Sequence, residues 1–210
     1  MKKLSSSNPL MVLCVLAALA GCSSHASHNL IEPLPAGFTL ETMSDCTVPA
    51  KFSASDFNWR GSNLTMTVFS EDFYDAVEVS KMTAGDTLVF AGNKIVVETI
   101  EEENGILTIN NGIEEGGAYL KADEGGTYKS LLMDDHSVYT EIGRKEIPLS
   151  EDFVIIDCGT EPNDPVDTIR TGQKPYIDSL ESYKTEFIEL NTRVRIEGGV
   201  IKEINRHWIP

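Results

Sequence analysis

Apolar and polar positions alternate along this chain in short runs, and turn residues punctuate the runs at close intervals. Leu64 to Phe69 sets Leu64, Met66 and Val68 against Thr65, Thr67 and Phe69, the period of two expected when one face of a strand is covered. Ala91-Gly92-Asn93 divides Leu88 to Phe90 from Ile95 to Val97, and Asn104-Gly105 divides that second run from Ile106 to Ile109. Gly and Asn accept the positive φ of tight turns, so both places predict hairpins. Gly198-Gly199 predicts another, between Arg193 to Glu197 and Val200 to Asn205, and Asn111-Gly112 is a further turn. Closely spaced hairpins of short strands predict a mainly β fold, an antiparallel small barrel or sandwich, rather than a parallel α/β sheet.

One stretch breaks the pattern. Lys174 to Tyr183 places Tyr176, Ile177, Leu180 and Tyr183 on one side of a helix, with Pro175 suited to its first turn. A helix this late among short strands suits an OB-like barrel. Pro162, Pro165 and Gly172 make the approach irregular, so residues 161–173 read as a connection with some helical character. Glu114-Glu115-Gly116-Gly117-Ala118-Tyr119 and Asp123-Glu124-Gly125-Gly126-Thr127-Tyr128 form a small internal repeat, nine residues apart. Calcium-binding nonapeptide repeats need an aspartate where these copies carry tyrosine, so the repeat reads as two acidic turns, each feeding a strand.

The amino terminus has a different logic. Lys2 and Lys3 precede an almost wholly apolar run from Leu10 to Ala20, closed by Leu19-Ala20-Gly21-Cys22. This is the three-part layout of an export signal. With cysteine directly after Leu-Ala-Gly, the segment resembles the lipobox of bacterial lipoproteins. The resemblance implies a diacylglycerol on the Cys22 thiol, cleavage before Cys22 and often acylation of the new amino terminus. Membrane contact would then be through the lipid alone, since about 11 apolar residues fall short of the roughly 20 that span a bilayer. Ser23 lacks the aspartate that, in this family, resembles an inner-membrane retention signal in Gram-negative cells. The expected location is the outer face of a membrane, or the outer membrane of a Gram-negative cell. Residues 1–21 read as signal, 22–36 as a lipidated tether and 37–210 as a single β-rich domain that resembles no characterised family. A flexible tether of that length reaches roughly 20 Å.

Charge removes one class of partner. The chain carries 33 acidic and 17 basic residues, a net charge of −16; loss of Lys2 and Lys3 leaves 15 basic residues and a net charge of −18. A surface that acidic repels phosphates, so nucleic acid is not an expected partner. Cysteine count changes the picture again. Cys14 leaves with the signal and Cys22 is taken by lipid, leaving Cys46 and Cys158. In an oxidising compartment these two invite one disulfide, worth roughly 4 to 5 kcal/mol for a loop of more than 100 residues. Two buried free thiols, or a nucleophile at Cys158, are the alternatives.

Candidate chemistry beyond this is thin. Cys158 as a nucleophile would need His136 or His207 beside it. Phe153 to Thr160, ending Asp157-Cys158-Gly159-Thr160, is similar to the phosphate loop of the actin and sugar-kinase superfamily, but only about 50 residues follow it and that fold needs two domains. Glu101-Glu102-Glu103, Asp134-Asp135 and the set Glu161, Asp164, Asp167 lack calcium-loop spacing and read as solvated loop charges. His25 and His28, three apart in the tether, have no companion ligand. A glycosidase carboxylate pair stays open among so many acids. Phe57, Trp59, Phe73, Tyr74 and Trp208 offer either sugar-stacking faces or core packing, and their area favours the core. The expectation is therefore a lipid-anchored, non-enzymatic binding or structural module of the cell envelope, with no metal, no cofactor, and an envelope protein or glycan as partner. A small extracytoplasmic hydrolase and an accessory subunit of an envelope complex are the alternatives.

Overall fold

The computed structural model describes residues 28–132, 136–182 and 187–209. Cys22 and the rest of the lipobox, His25, Asp134-Asp135 and Tyr183 lie outside the described residues. The strands run β1 (Leu30–Ile31), β2 (Cys46–Lys51), β3 (Phe57–Asn58), β4 (Asn63–Glu71) and β5 (Phe73–Asp75). A one-turn helix, α1 (Ala76–Ser80), leads to β6 (Thr87–Phe90), β7 (Asn93–Val96), β8 (Ile100–Glu103), β9 (Ile106–Ile109), β10 (Ala118–Asp123) and β11 (Thr127–Leu131). The long β12 (Tyr139–Asp157), β13 (Asp167–Ile169), helix α2 (Gln173–Ser182), β14 (Thr192–Glu197) and β15 (Val200–Arg206) complete the chain.

Five of these strands close on themselves. β2 pairs β4, β4 pairs the first half of β12, the second half of β12 pairs β15 in parallel, β15 pairs β14, and β14 returns to β2. Numbered in chain order the ring is 1-2-3-5-4, with the third and fifth strands parallel and α2 between the third and fourth. That is the connectivity of an OB-like barrel. β12 serves two neighbours because it bends: its register with β4 slips between Glu141 and Gly143. Gly143 has φ 142°, and a Cβ there would lie 2.9 Å from Leu40 Cδ1, so the bulge is built around a residue without a side chain.

Alternation fills the barrel. Leu64, Met66 and Val68 from β4 meet Val48 and Ala50 from β2, Val194 and Ile196 from β14, Ile201 and Ile204 from β15, and Ile147 and Ile155 from β12, all buried. α2 adds Ile177 and Leu180 to the same core, the face expected of the helix. Phe52 stacks on Phe187 at 4.7 Å and meets Phe57 edge-on at 5.6 Å, and Phe57 stacks on Trp59 at 4.8 Å. Phe57 and Tyr74, offered by the sequence as ligand faces, are core residues, and the Tyr74 hydroxyl donates to the Val89 carbonyl at 2.8 Å.

The connection from β4 to β12 carries a second hydrophobic core. Tyr74, Val79, Leu88, Phe90, Leu107, Ile109 and Leu120 are buried there, between a sheet ordered β5-β11-β10-β9-β8 and another ordered β1-β6-β7. Both acidic repeats feed strands as expected, the first starting in a 3₁₀ turn and running into β10, the second forming the β10–β11 turn, where Asp123 faces Thr127. Ala91-Gly92 joins β6 to β7 with φ 50° and 75°, a two-residue turn with both angles positive.

Several expectations are corrected. The hairpin at Asn104-Gly105 pairs β9 with Ile100–Glu103 and not with Ile95 to Val97. Glu101, Glu102 and Glu103 are thus edge-strand residues, where charge discourages pairing with another chain. Residues 167–169, expected as connection with helical character, pair with β12 as a strand. Residues from His28 onward are not a free tether. β1 lies parallel to β6, Ile31 is 2% exposed in the inserted core, and Asp86 accepts the Asn29 N–H at 2.7 Å. The expected disulfide is absent, and both cysteines are free thiols. Cys46 sits opposite Ile196 on β14, whereas Cys158 follows the Asp157–Arg206–Thr192 row. By way of β14 and β15 that places them three pairings apart, two by way of β4, and four residues apart along β14, or about 13 Å along the strand alone, far beyond the roughly 7 Å limit between bridged Cα atoms.

Candidate functional site

β2 changes partners halfway. Its first residues pair with β14, and only Ala50 and Lys51 pair with β4. Pro49, which has no N–H to donate, sits at the change. The last residues of β4 continue along β12 instead, so the barrel wall opens into a groove of about 600 Å³, a volume suited to a small ligand. Thr47 and Pro49 form one bank, Ser70 and Glu71 another, and Arg193 projects from β14. Phe73, Asp123 and Thr127 of the insertion, with Leu34 to Phe38, form the remaining wall. Leu34 is fixed there by its N–H bond to the Phe73 carbonyl at 2.6 Å.

Arg193 is the unusual group. Arg206 and Asp157 form a buried two-point ion pair at 2.5 and 2.9 Å, Arg144 meets Asp56 at 2.5 Å, and Arg195 meets Glu197 and Glu203. Arg60 and Arg170 extend into water. Half-buried Arg193 has no carboxylate at ion-pairing distance among the described residues. It donates instead to the Glu189 carbonyl at 2.7 Å, the Thr192 carbonyl at 3.1 Å and the Tyr139 hydroxyl, over whose ring its guanidinium carbon lies 5.1 Å from the centroid. Burial pushes the Tyr139 phenol above its ordinary pKa, so that partner is neutral. Partial burial and the Arg193 charge hold the His207 imidazole below its ordinary value, so that neighbour is neutral near pH 7 as well. Ser137 donates to Glu71 beside the groove. Among the described residues the guanidinium is therefore positioned by neutral hydrogen-bond partners, with no carboxylate in an ion pair with it.

The residues singled out in the sequence are distributed elsewhere. Cys158 is buried next to the Asp157–Arg206 pair, and burial raises its thiol above the ordinary value, the opposite of an activated nucleophile. Its sulfur contact is the Gly159 carbonyl at 3.7 Å; the charges acting on it are Arg206, Asp157 and Asp164, while His207 feels Arg193 and His136. The sequence resembling a phosphate loop turns Asp157 inward: it accepts from Arg206 and from the Gly159 N–H at 2.7 Å. Asp164 accepts the Thr160 and Glu161 N–H groups at 2.6 and 3.0 Å, which lowers its pKa and ties it to its own loop. His28 packs against Gly85. Among the described residues no group of three His, Cys, Asp or Glu side chains gathers to hold a metal ion.

Of the candidate aromatics, Phe73 reaches the groove. Arg193, Glu71 and Tyr139 were not marked by sequence reasoning, and Asp123 figured only in the acidic repeat, because each belongs to a separate strand or turn and only the tertiary fold brings them together. The available signal was weak: a proline inside a strand and an arginine at an outward position in an acidic chain. No family model, no curated protein and no solved structure matches the chain.

Proposed function

We propose that the protein is a lipid-anchored binding module of the cell envelope, displayed at the outer face of a membrane through Cys22, with the groove beside Arg193 as its ligand site. The observation that carries the binding role is that groove, where a half-buried cation, hydrogen-bonded to neutral partners among the described residues, shares the lining with both apolar and acidic side chains. An OB-like barrel alone names no ligand, because fold and function separate readily. The lipobox resemblance supports the address. A cysteine hydrolase finds no support in the raised thiol of Cys158. Two measurements on the full chain test the proposal. Expressed in a bacterium, it incorporates labelled palmitate, and Cys22→Ser abolishes the label; an unlabelled wild type overturns the address. In detergent, a panel of envelope peptides and glycans raises the melting temperature, and Thr47→Trp, which fills the groove, removes the shift. A panel that leaves the wild type unmoved overturns the binding role.

A further inference from the structure

We propose that the groove takes a zwitterionic ligand, a short peptide with a free carboxylate and a free ammonium; this rests on the binding role just proposed. Three charges line the groove, Arg193 on one side and Glu71 and Asp123 on others, and among the described residues none of the three is in an ion pair. A purely anionic ligand would meet Arg193 but face two carboxylates; a purely cationic one would meet the carboxylates but face Arg193. A molecule carrying both signs satisfies all three. Arg193 uses three N–H donors on Glu189, Thr192 and Tyr139, leaving two of the five that a guanidinium offers for a ligand carboxylate. Glu71 accepts from the Ser137 hydroxyl at the edge of the groove. Phe38, Phe73 and Pro49 supply apolar surface between the charged points, which suits a peptide side chain better than a fully hydroxylated sugar.

The test is equilibrium dialysis of the full chain in detergent against a randomised tripeptide library with free termini, read by mass spectrometry. Identical libraries with amidated carboxyl ends or acetylated amino ends are run alongside, with a panel of neutral oligosaccharides. The expected result is retention of free-terminus peptides about tenfold above either blocked library, the loss of one charge-assisted contact at each end. Arg193→Gln abolishes that preference for the free carboxylate and Arg193→Lys restores part of it. The blocked libraries read the same charges without any substitution, so a variant that does not fold leaves the test intact. Equal retention of free and blocked peptides overturns the zwitterion. Oligosaccharides retained by the wild type and by Arg193→Gln, but lost in Phe73→Ala, overturn it while leaving the groove a binding site. Retention of neither class overturns both readings.

Discussion

Asp72 is the residue at which the barrel hands over to the insertion. Its backbone bonds in both directions: its N–H donates to the Val138 carbonyl, and its carbonyl accepts the Ser130 N–H. The side chain is carried inside with it. It is 2% exposed, and among the described residues Oδ2 has no partner. Burial, aided by neighbouring Glu71, raises its pKa above the ordinary 3.8 despite a Thr140 hydrogen bond. A carboxyl whose folded pKa lies above its unfolded value binds its proton more tightly in the native state. It favours the fold below the unfolded value and loses that contribution as pH rises through the folded one. At neutral pH Asp72 therefore opposes the fold. Asp72→Asn, uncharged and of the same shape, is expected to raise Tm by a few degrees at pH 7. The gain shrinks as the pH falls through the raised folded value, where wild-type Asp72 takes up its own proton. Melting curves across that range check this, and a variant less stable than wild type at pH 7 would contradict it. Asp157 is also buried, but Arg206 and the Gly159 N–H satisfy it. The difference between the two aspartates is pairing, not depth.

At the scale of elements, β1 shows what local reading can and cannot reach. Two residues make no recognisable period, and Pro33 and Pro35 around a polar stretch argue for a tether. What orders β1 is distant in sequence: the edge of β6, the pocket that takes Ile31, and the Asp86 carboxylate that accepts from Asn29 and Thr83. Segments with a signal of their own were legible: Leu64 to Phe69 carries its alternation although its long pairing is with distant β12, and Ala91-Gly92 carries its turn. The groove was not, since it arises where β2 abandons β4, a matter of register between segments far apart. The same contrast separates α2, legible from its apolar face, from β13, whose three residues are strand only because β12 lies beside them. The pinning of β1 has a measurable consequence. Ile31→Ala leaves a gap in the inserted core and is expected to cost about 2 to 4 kcal/mol in urea unfolding. Asp86→Ala leaves the Asn29 and Thr83 N–H groups without their acceptor and is expected to speed amide exchange at residues 29–31 before it affects the barrel. Those two N–H bonds lower the Asp86 pKa, so its contribution is present above the ordinary aspartate value and lost as pH falls through the lower folded one. Acid should open β1 by the same route, and exchange at residues 29–31 that matches a free chain at pH 7 would show that the clasp does not form.

For the whole molecule, the place where the chain becomes fixed decides how a lipid-anchored protein stands on its membrane. A tether running to residue 36 would let the body tumble at roughly 20 Å from the lipid. With Asn29 and Ile31 held by the insertion, residues 23–27 alone lie between Cys22 and His28, a separation of about 13 Å for a chain of that length. Anchoring at Cys22 would thus hold the β1-β6-β7 sheet nearest the bilayer and set the barrel farther out. Val96 offers a reporter: it is 58% exposed on β7, opposite Thr87, which in turn pairs with Leu30. Two strand spacings, about 10 Å, separate it from the point of attachment. Asp178 on α2 offers a second reporter on the barrel side. In a Cys46→Ser, Cys158→Ala background reconstituted in vesicles, a donor dye at Val96→Cys is expected to transfer strongly to an acceptor carried by the lipid, and a dye at Asp178→Cys weakly. Ten Gly/Ser residues inserted after Ser24 should lower transfer at position 96 and bring the two labels closer together. Equal transfer from both labels in the uninserted chain would mean that the insertion does not face the membrane, even if Cys22 is lipidated.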